Sequence, residues 1–439
     1  MLRTSDLSLE QAPPISVPFR FFLTAPLFGV AAGVLLLILG PEALASRWSP
    51  ATLALTHLLT LGFLALVMCG AAMQILPVLA GVSVPAALPV GTAVHLALTL
   101  GSAALVWAFL QAVPGIFLLA LGLLGGGFAL FLGAVGLALL RVKVADPTVK
   151  GVGAAWAALL ITLLLGLYLA GAMAGLWNPA HVSLLTDLHL GWGLLGWVGL
   201  LLVAVAYRVV PLFQITPEYP LPLRRTLAPG VLLLLLAWSL VSLADQELIS
   251  PAALPAVAAF VVFAAYTLRL QTQRRRRVAD LTLQFWRVAM LGLIATALIW
   301  LAALLIPAWS GRSEYPLLLG LGLLAAVGLS VTNGMLYKIV PFLAWFHLQH
   351  RQMALIQFGL VEIPHMKALL PDRWARRQLW LHLGVLALGA AASFLPGLLA
   401  RPLGLLLVCS FGLLWINLAL AAYRYRQADR RLAELAGSS

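Results

Sequence analysis

Apolar runs of about 20 residues, nearly free of charge, recur along the whole 439-residue chain, each closed by a polar or Pro-rich break. A bilayer core roughly 30 Å thick needs about 20 such residues per helix. Lipid offers no partner to a backbone N–H or C=O outside a helix or closed barrel. Twelve runs are legible, opening with Pro18–Gly40 and Ala51–Ala80 and closing with Gln378–Leu395 and Leu403–Tyr423. The pattern predicts an all-α polytopic membrane protein of about twelve transmembrane helices. Composition agrees, because 63% hydrophobic and 9% charged residues would leave a water-soluble chain covered in apolar surface.

The net charge of +13 would suggest a nucleic-acid partner in a soluble protein, but here the cations lie between spans. Of the 27 Lys and Arg, 24 fall at the termini and in even-numbered loops, leaving Arg47, Arg312 and Arg401 on the other side. Loops rich in Lys and Arg stay in the cytoplasm, so both termini are expected there, in a bacterial inner membrane, with the lipid bilayer and no nucleic acid as partner. No small-residue cleavage site follows the first apolar run, which reads as a retained span. Cys69 and Cys409 belong to no CxxC pattern and read as small buried hydrophobes. The mixed apolar and basic segment from Gln352 to Arg377, with Pro364 and Pro371, is expected to lie along the membrane surface.

Spans two, six and ten end in the related strings AAMQILPVL, VAYRVVPLF and MLYKIVPFL, with Pro77, Pro211 and Pro341 at spacings of 134 and 130 residues. Four spans fit each interval. The single membrane domain 1–439 therefore reads as three four-helix units with pseudo-three-fold symmetry, 18–145, 146–275 and 276–425. Gly62, Gly196 and Ala326 occupy matched places before the prolines, where small residues let neighbouring helices approach closely. Arg208 and Lys338, each three residues before its proline, are expected to snorkel towards headgroups.

No Asp or Glu falls in the middle of a span, which counts against a carboxylate-driven transporter. His57 and His189 stand out. Each lies about 10 Å below the outer end of its span, and they precede their prolines by 20 and 22 residues. That two-residue offset turns the side chains about 200° apart on equivalent helices, so two neighbouring units can aim them into one space. Two neutral imidazoles suit iron, and bis-His ligation holds haem b in membranes; the bland reading is two buried histidines bonded to carbonyls. Trp192 and Trp197 are candidates for a haem-pocket wall. His181 and Asp187 are weaker metal or second-sphere candidates, Asp187 as the group that orients an imidazole. His95, in the inner half of span three, reads as a packed, hydrogen-bonded histidine. His347 and His350, three apart on one helix face, with His365 and His382 near the same side, read as a solvated face at the cytoplasmic border, the alternative being a cytoplasmic metal site.

Twelve helices in three arcs, with LTHLLTLGFLALVMCGAAMQILPVLAG opening on His57 and HLGWGLLGWVGLLLVAVAYRVVPLF opening on His189, resemble subunit I of the haem-copper oxidases and nitric oxide reductases, including a divergent NnrS-like branch. The resemblance implies a low-spin haem on the second helix. The chain departs from that pattern where oxygen chemistry would need it. The tenth span has no histidine between Tyr315 and Lys338, with Leu319 to Leu321 at ligand height, and span seven lacks the copper-site histidines. No binuclear copper site is expected, and the protein is not an oxygen reductase on its own.

These features lead to the expectation of a haem-binding membrane redox protein in electron transfer or a nitric-oxide or metal-stress response, served by a respiratory electron donor or another membrane subunit. The alternative is a cofactor-free transporter or assembly factor on the same scaffold. Reporter tags at either terminus and in the Arg274–Arg277 loop should all score as cytoplasmic in a topology assay; periplasmic activity at any of them would break the twelve-span count.

Overall fold

A computed structural model describes residues 13–144, 146–275, 280–355 and 361–437. Among them there is helix and no strand. Twelve long helices follow one another: α1 Ser16–Leu39, α2, α3 Ala87–Gln111, α4 Pro114–Leu140, α5 Pro147–Met173, α6, α7 Leu221–Ala244, α8 Leu254–Thr272, α9 Leu281–Leu305, α10, α11 Asp372–Phe394 and α12 Pro396–Gly437. Among the described residues eleven are long and apolar enough to cross a membrane. The remaining one, α11, carries Asp372, Arg373, Arg376 and Arg377 in its first two turns and packs against α12.

The three repeat-bearing helices, α2, α6 and α10, are composite. In α2 the α-helical Pro50–His57 and Leu66–Ala80 flank a π-helical stretch, Leu58–Ala65. In α6 the α-helical Val182–Gly191 and Leu200–Gln214 flank Trp192–Gly199, and in α10 Glu314–Gly320 and Ser330–Ala354 flank Leu321–Leu329. Each π stretch ends twelve residues before its repeat proline. The repeat legible in the strings thus extends to a backbone irregularity that no periodicity argument detects, and such widened turns are uncommon and frequently found at functional sites.

Close approach at the small residues explains the packing. A Cβ on Gly62 would fall on the Phe28 ring of α1, one on Gly196 would lie 3.0 Å from Ala158 of α5, and one on Gly292 of α9 would lie 2.7 Å from Ala326. Each composite helix is therefore drawn against the helix that precedes it in space, α2 on α1, α6 on α5 and α10 on α9. The ring closes where α1 meets α12: a Cβ on Gly33 would stand 2.8 Å from the Gly404 carbonyl oxygen and 2.7 Å from the Val408 amide nitrogen.

The end of the bundle where α1 begins and α12 finishes is called the base, and the opposite end the crown. At the base, Arg208 does not snorkel freely but pairs with Asp146, and Lys338 Nζ lies 3.2 Å from Asp280 Oδ2. Both aspartates cap the first helix of a unit, Asp146 accepting from the Val149 amide and Asp280 from that of Thr282, so each cation is held where a helix start already concentrates acceptors. The matched residue in the first unit is Gln74, which has no charge to pair.

Other expectations change. Span twelve does not stop at Tyr423; α12 is a 42-residue helix that carries Arg424, Arg426, Arg430 and Arg431 beyond it. The Gln352–Arg377 stretch is not one surface-lying piece. α10 runs on to Ala354, a short helix spans Met366–Leu369, and Leu369 and Leu370 are buried while Arg424 Nη1 donates to the Ala368 and Leu369 carbonyls at 2.8 and 3.1 Å. Residues 356–360 of that stretch, residues 276–279 of the arginine loop and residues 1–12 lie outside the described residues. Cys69 is buried as expected, whereas Cys409 is exposed on the outer face of α12.

Replacing Gly404 by Val forces a side chain against the backbone of α1, where nothing can yield, and overpacking of this kind costs about 1–3 kcal/mol. A lowered melting temperature in detergent is expected for Gly404→Val, with Gly412→Ala, which meets nothing within 4 Å, unchanged.

A candidate two-histidine site in a central cavity

A cavity of about 940 Å³ lies between the units and reaches the crown loops at Trp48 and Asn178. Its wall is mostly apolar and draws on all three π stretches, through Leu59, Leu194 and Leu323 among others. His57 and His189 both line it. Their rings stand 6.5 Å apart, centre to centre, with planes 15° from parallel. Each is the eighth residue of its helix, so both sit at one level, as the span depths predict. The π stretches lie at the same distance from both prolines, so the two-residue offset between the histidines survives and turns them towards each other.

The ring nitrogens are already sorted. His57 Nδ1 is 2.8 Å from the Leu53 carbonyl oxygen and His189 Nδ1 is 3.1 Å from that of Thr162. A carbonyl can only accept, so each Nδ1 carries the proton and donates, which leaves each Nε2 with its lone pair free. Neither Nε2 has a partner among the described residues. This is how ligating imidazoles are held, by a second contact that sets the tautomer and the ring angle. A metal bound to both Nε2 atoms at about 2 Å each places the ring centres roughly 6 Å apart, close to the separation observed. Cavities of about 300–1,000 Å³ hold cofactor-sized ligands, so the volume also fits a porphyrin.

Two neighbours set the ring positions. Phe109 of α3 lies 5.1 Å from His57, ring to ring. Gly166 of α5 faces His189, and a Cβ there would sit 2.8 Å from His189 Cε1. Gly166 has no sequence signal of its own, since it is one of 38 glycines.

The other candidates fall away from the pair. Trp192 does not line the cavity; it is 2% exposed and its indole N–H donates to Ser239 Oγ at 2.9 Å. Trp197 does line it, edge-on to Phe128. Asp187 orients no imidazole: it faces the cavity near the crown but is held by Arg47 at 2.6 Å, and the backbone of Thr162 takes the role expected of it. His181 is exposed, with its Nδ1 2.7 Å from Gln246 Nε2. Among the described residues no three His, Cys, Asp or Glu side chains converge as a metal site. His95 is hydrogen-bonded to Thr24 Oγ1 at 2.9 Å, as a packed histidine should be. His350 and His365 are exposed at the base, and His347 meets Tyr425 at 3.0 Å. His382 is not on a solvated face: it is 1% exposed, with Nε2 2.7 Å from Ser330 Oγ. From the third unit, Leu319 and Leu321 line the cavity where the resemblance would place ligands. No protein-family model matches this chain, and no curated protein is detectably similar to it in sequence.

Gly166→Val should push the His189 ring out of place and lower stability by about 1–3 kcal/mol. Because the clash is with one side chain, adding His189→Ala should restore most of the loss in a double-mutant cycle of thermal unfolding. Additive losses would show that Gly166 matters for another reason.

Proposed function

We propose that the protein is a membrane redox protein holding one haem b between His57 and His189, in the cytoplasmic membrane of a bacterium with both termini inside. The observation that carries this reading is the pair of Nε2 lone pairs, freed by the Leu53 and Thr162 carbonyls, at one level of one apolar cavity. Haem supplies one-electron transfer when bound. The chain's own part is to fix both imidazole planes, to keep water from the iron position with Leu and Phe side chains, and to offer no third ligand. Among the described residues His57 and His189 are the only histidines lining the cavity, so the site favours electron transfer over oxygen or nitric oxide reduction.

The three-unit architecture, the position of His57 at the opening of α2 and the repeat on α6 support kinship with the oxidase subunit I scaffold. An electron donor or partner subunit in the same membrane follows from the proposal, since a buried haem needs one. The cofactor-free alternative is favoured by one feature, the Arg47–Asp187 pair at the crown side of the cavity, which could meet a charged solute.

A reduced-minus-oxidised spectrum of detergent-purified protein decides between them. The expected result is a low-spin b-type spectrum that disappears in His57→Ala and in His189→Ala and persists in His95→Ala and His350→Ala. A folded, colourless preparation would favour the cofactor-free scaffold, and a spectrum retained in both His57→Ala and His189→Ala would move the iron elsewhere.

A further inference from the structure

We propose that the groove between α1 and α3, at the base, holds one anionic phospholipid whose phosphate is bound by Arg20. The site lies on the outside of the bundle, away from the cavity, and does not depend on a haem. Arg20 and Thr24 stand on the row of α1 that continues through the exposed Leu27 and Ile38. Thr92 and His95 lie on the edge of α3 that carries the exposed Leu96 and Trp107. A row that faces lipid is expected to be apolar, and here four half-buried polar side chains interrupt two of them.

The four form two rungs between the helices. Nearer the base, Arg20 Nη1 donates to Thr92 Oγ1, and Arg20 Nε donates to the Ser16 carbonyl at 3.1 Å. Thr92 spends its own proton on the Leu88 carbonyl at 2.7 Å, so its oxygen is committed to receiving the guanidinium. One turn deeper, about 5–6 Å at 1.5 Å per residue, Thr24 Oγ1 and His95 Nε2 are 2.9 Å apart. Close packing behind the rungs fixes the two helices: a Cβ on Gly91 would stand 2.7 Å from Val17 Cγ1, and the Phe21 ring meets that of His95 edge-on at 5.1 Å.

The guanidinium calls for an anion. Among the described residues Arg20 forms no ion pair, unlike Arg208 and Lys338 at the same end of the bundle, and its Nη2 has no partner. A cation at a membrane boundary is costly unless a counter-charge meets it. Snorkelling alone would leave the chain free to reach into the headgroup layer. Here two acceptors pin the Nε and Nη1 sides across the groove, which presents Nη2 as a fixed donor. A charged fork of this kind fits a phosphate, and basic pockets between spans bind anionic lipid heads. The deeper rung suits the glycerol ester layer, which lies directly under the phosphate of a phospholipid, and Leu27 and Leu100 further along then meet the acyl chains. The head is anionic rather than zwitterionic. Among the described residues no carboxylate pairs with Arg20 in the groove to receive an ammonium, and an ammonium there would only repeat its charge.

The test uses the full chain, purified in detergent and stripped of lipid, with thermal unfolding and native mass spectrometry as readouts. Dioleoylphosphatidylglycerol should raise the melting temperature and stay bound as a single adduct; the same concentration of dioleoylphosphatidylethanolamine or of inorganic phosphate should do neither. Arg20→Gln should raise the half-saturating phosphatidylglycerol concentration roughly tenfold, in line with losing a charge-assisted hydrogen bond. Arg376→Gln, which removes an exposed cation from the base, should leave it unchanged. Thr92→Val keeps the charge but unpins the guanidinium, so it should weaken binding several-fold, and it carries the test if Arg20→Gln does not fold. Equal binding of the two lipids, an equal loss in Arg376→Gln, or wild-type binding in a folded groove variant would overturn the proposal. A matching shift with inorganic phosphate would overturn it too, by showing a free anion as the occupant. None of these readouts moves with the outcome of the haem spectrum.

Discussion

Everything in this bundle depends on how closely its three composite helices can be pulled against their neighbours. In lipid, apolar side chains gain little from meeting each other, so helices associate where small residues let backbones and rings interlock. Gly62 under Phe28, Gly196 against Ala158 and Ala326 against Gly292 are that contact made three times, once per unit. With these helices anchored to α1, α5 and α9, their opposite faces turn inward. The widened π turns, each held at the same height by the repeat, then leave a common space that side chains do not fill. The cavity is thus a product of the packing outside it.

Much of this architecture is legible in the amino-acid order. Run length and hydropathy find the spans because hydrocarbon demands them, and the Pro77, Pro211 and Pro341 strings find the three composite helices. The convergence of His57 and His189 follows from counting back to those prolines, since both helices carry the same irregularity and the error cancels. Legibility fails where a side chain's fate depends on what lies across from it. Asp187 is drawn to Arg47 from a loop 140 residues away, and Trp192 turns to Ser239 on α7. His382 looked interfacial because four charged residues precede it on α11, yet ten residues into that helix the chain is already inside the bundle. Gly166 is silent in sequence because its importance is only the room it leaves for an imidazole.

The three units share a plan and divide its uses. The first two each contribute one histidine to the cavity, while the third contributes leucines with Thr296, Tyr315 and Ser393, and holds His382 lower, against Ser330. The base is divided differently. The second and third units close theirs with an ion pair onto a helix cap, whereas Gln74 leaves the first without one. The repeat of the composite helices therefore coexists with chemical asymmetry, which gives one cavity distinct walls.

The last helix has a mechanical consequence. Forty-two residues of unbroken helix reach about 63 Å, roughly twice the hydrocarbon thickness, and α12 stays packed along that length, with Leu418, Ala428 and Leu432 buried. Its seam with α1 at Gly33 and Gly404 clamps the embedded half, while Arg351 pairs with Asp429 and Arg424 grips the Ala368 and Leu369 carbonyls further along. A rod clamped in this way has a defined azimuth as well as a direction. A rigid domain spliced in helical phase onto its last described turns would keep one orientation relative to the rest of the bundle, and would act as a fiducial for aligning particle images.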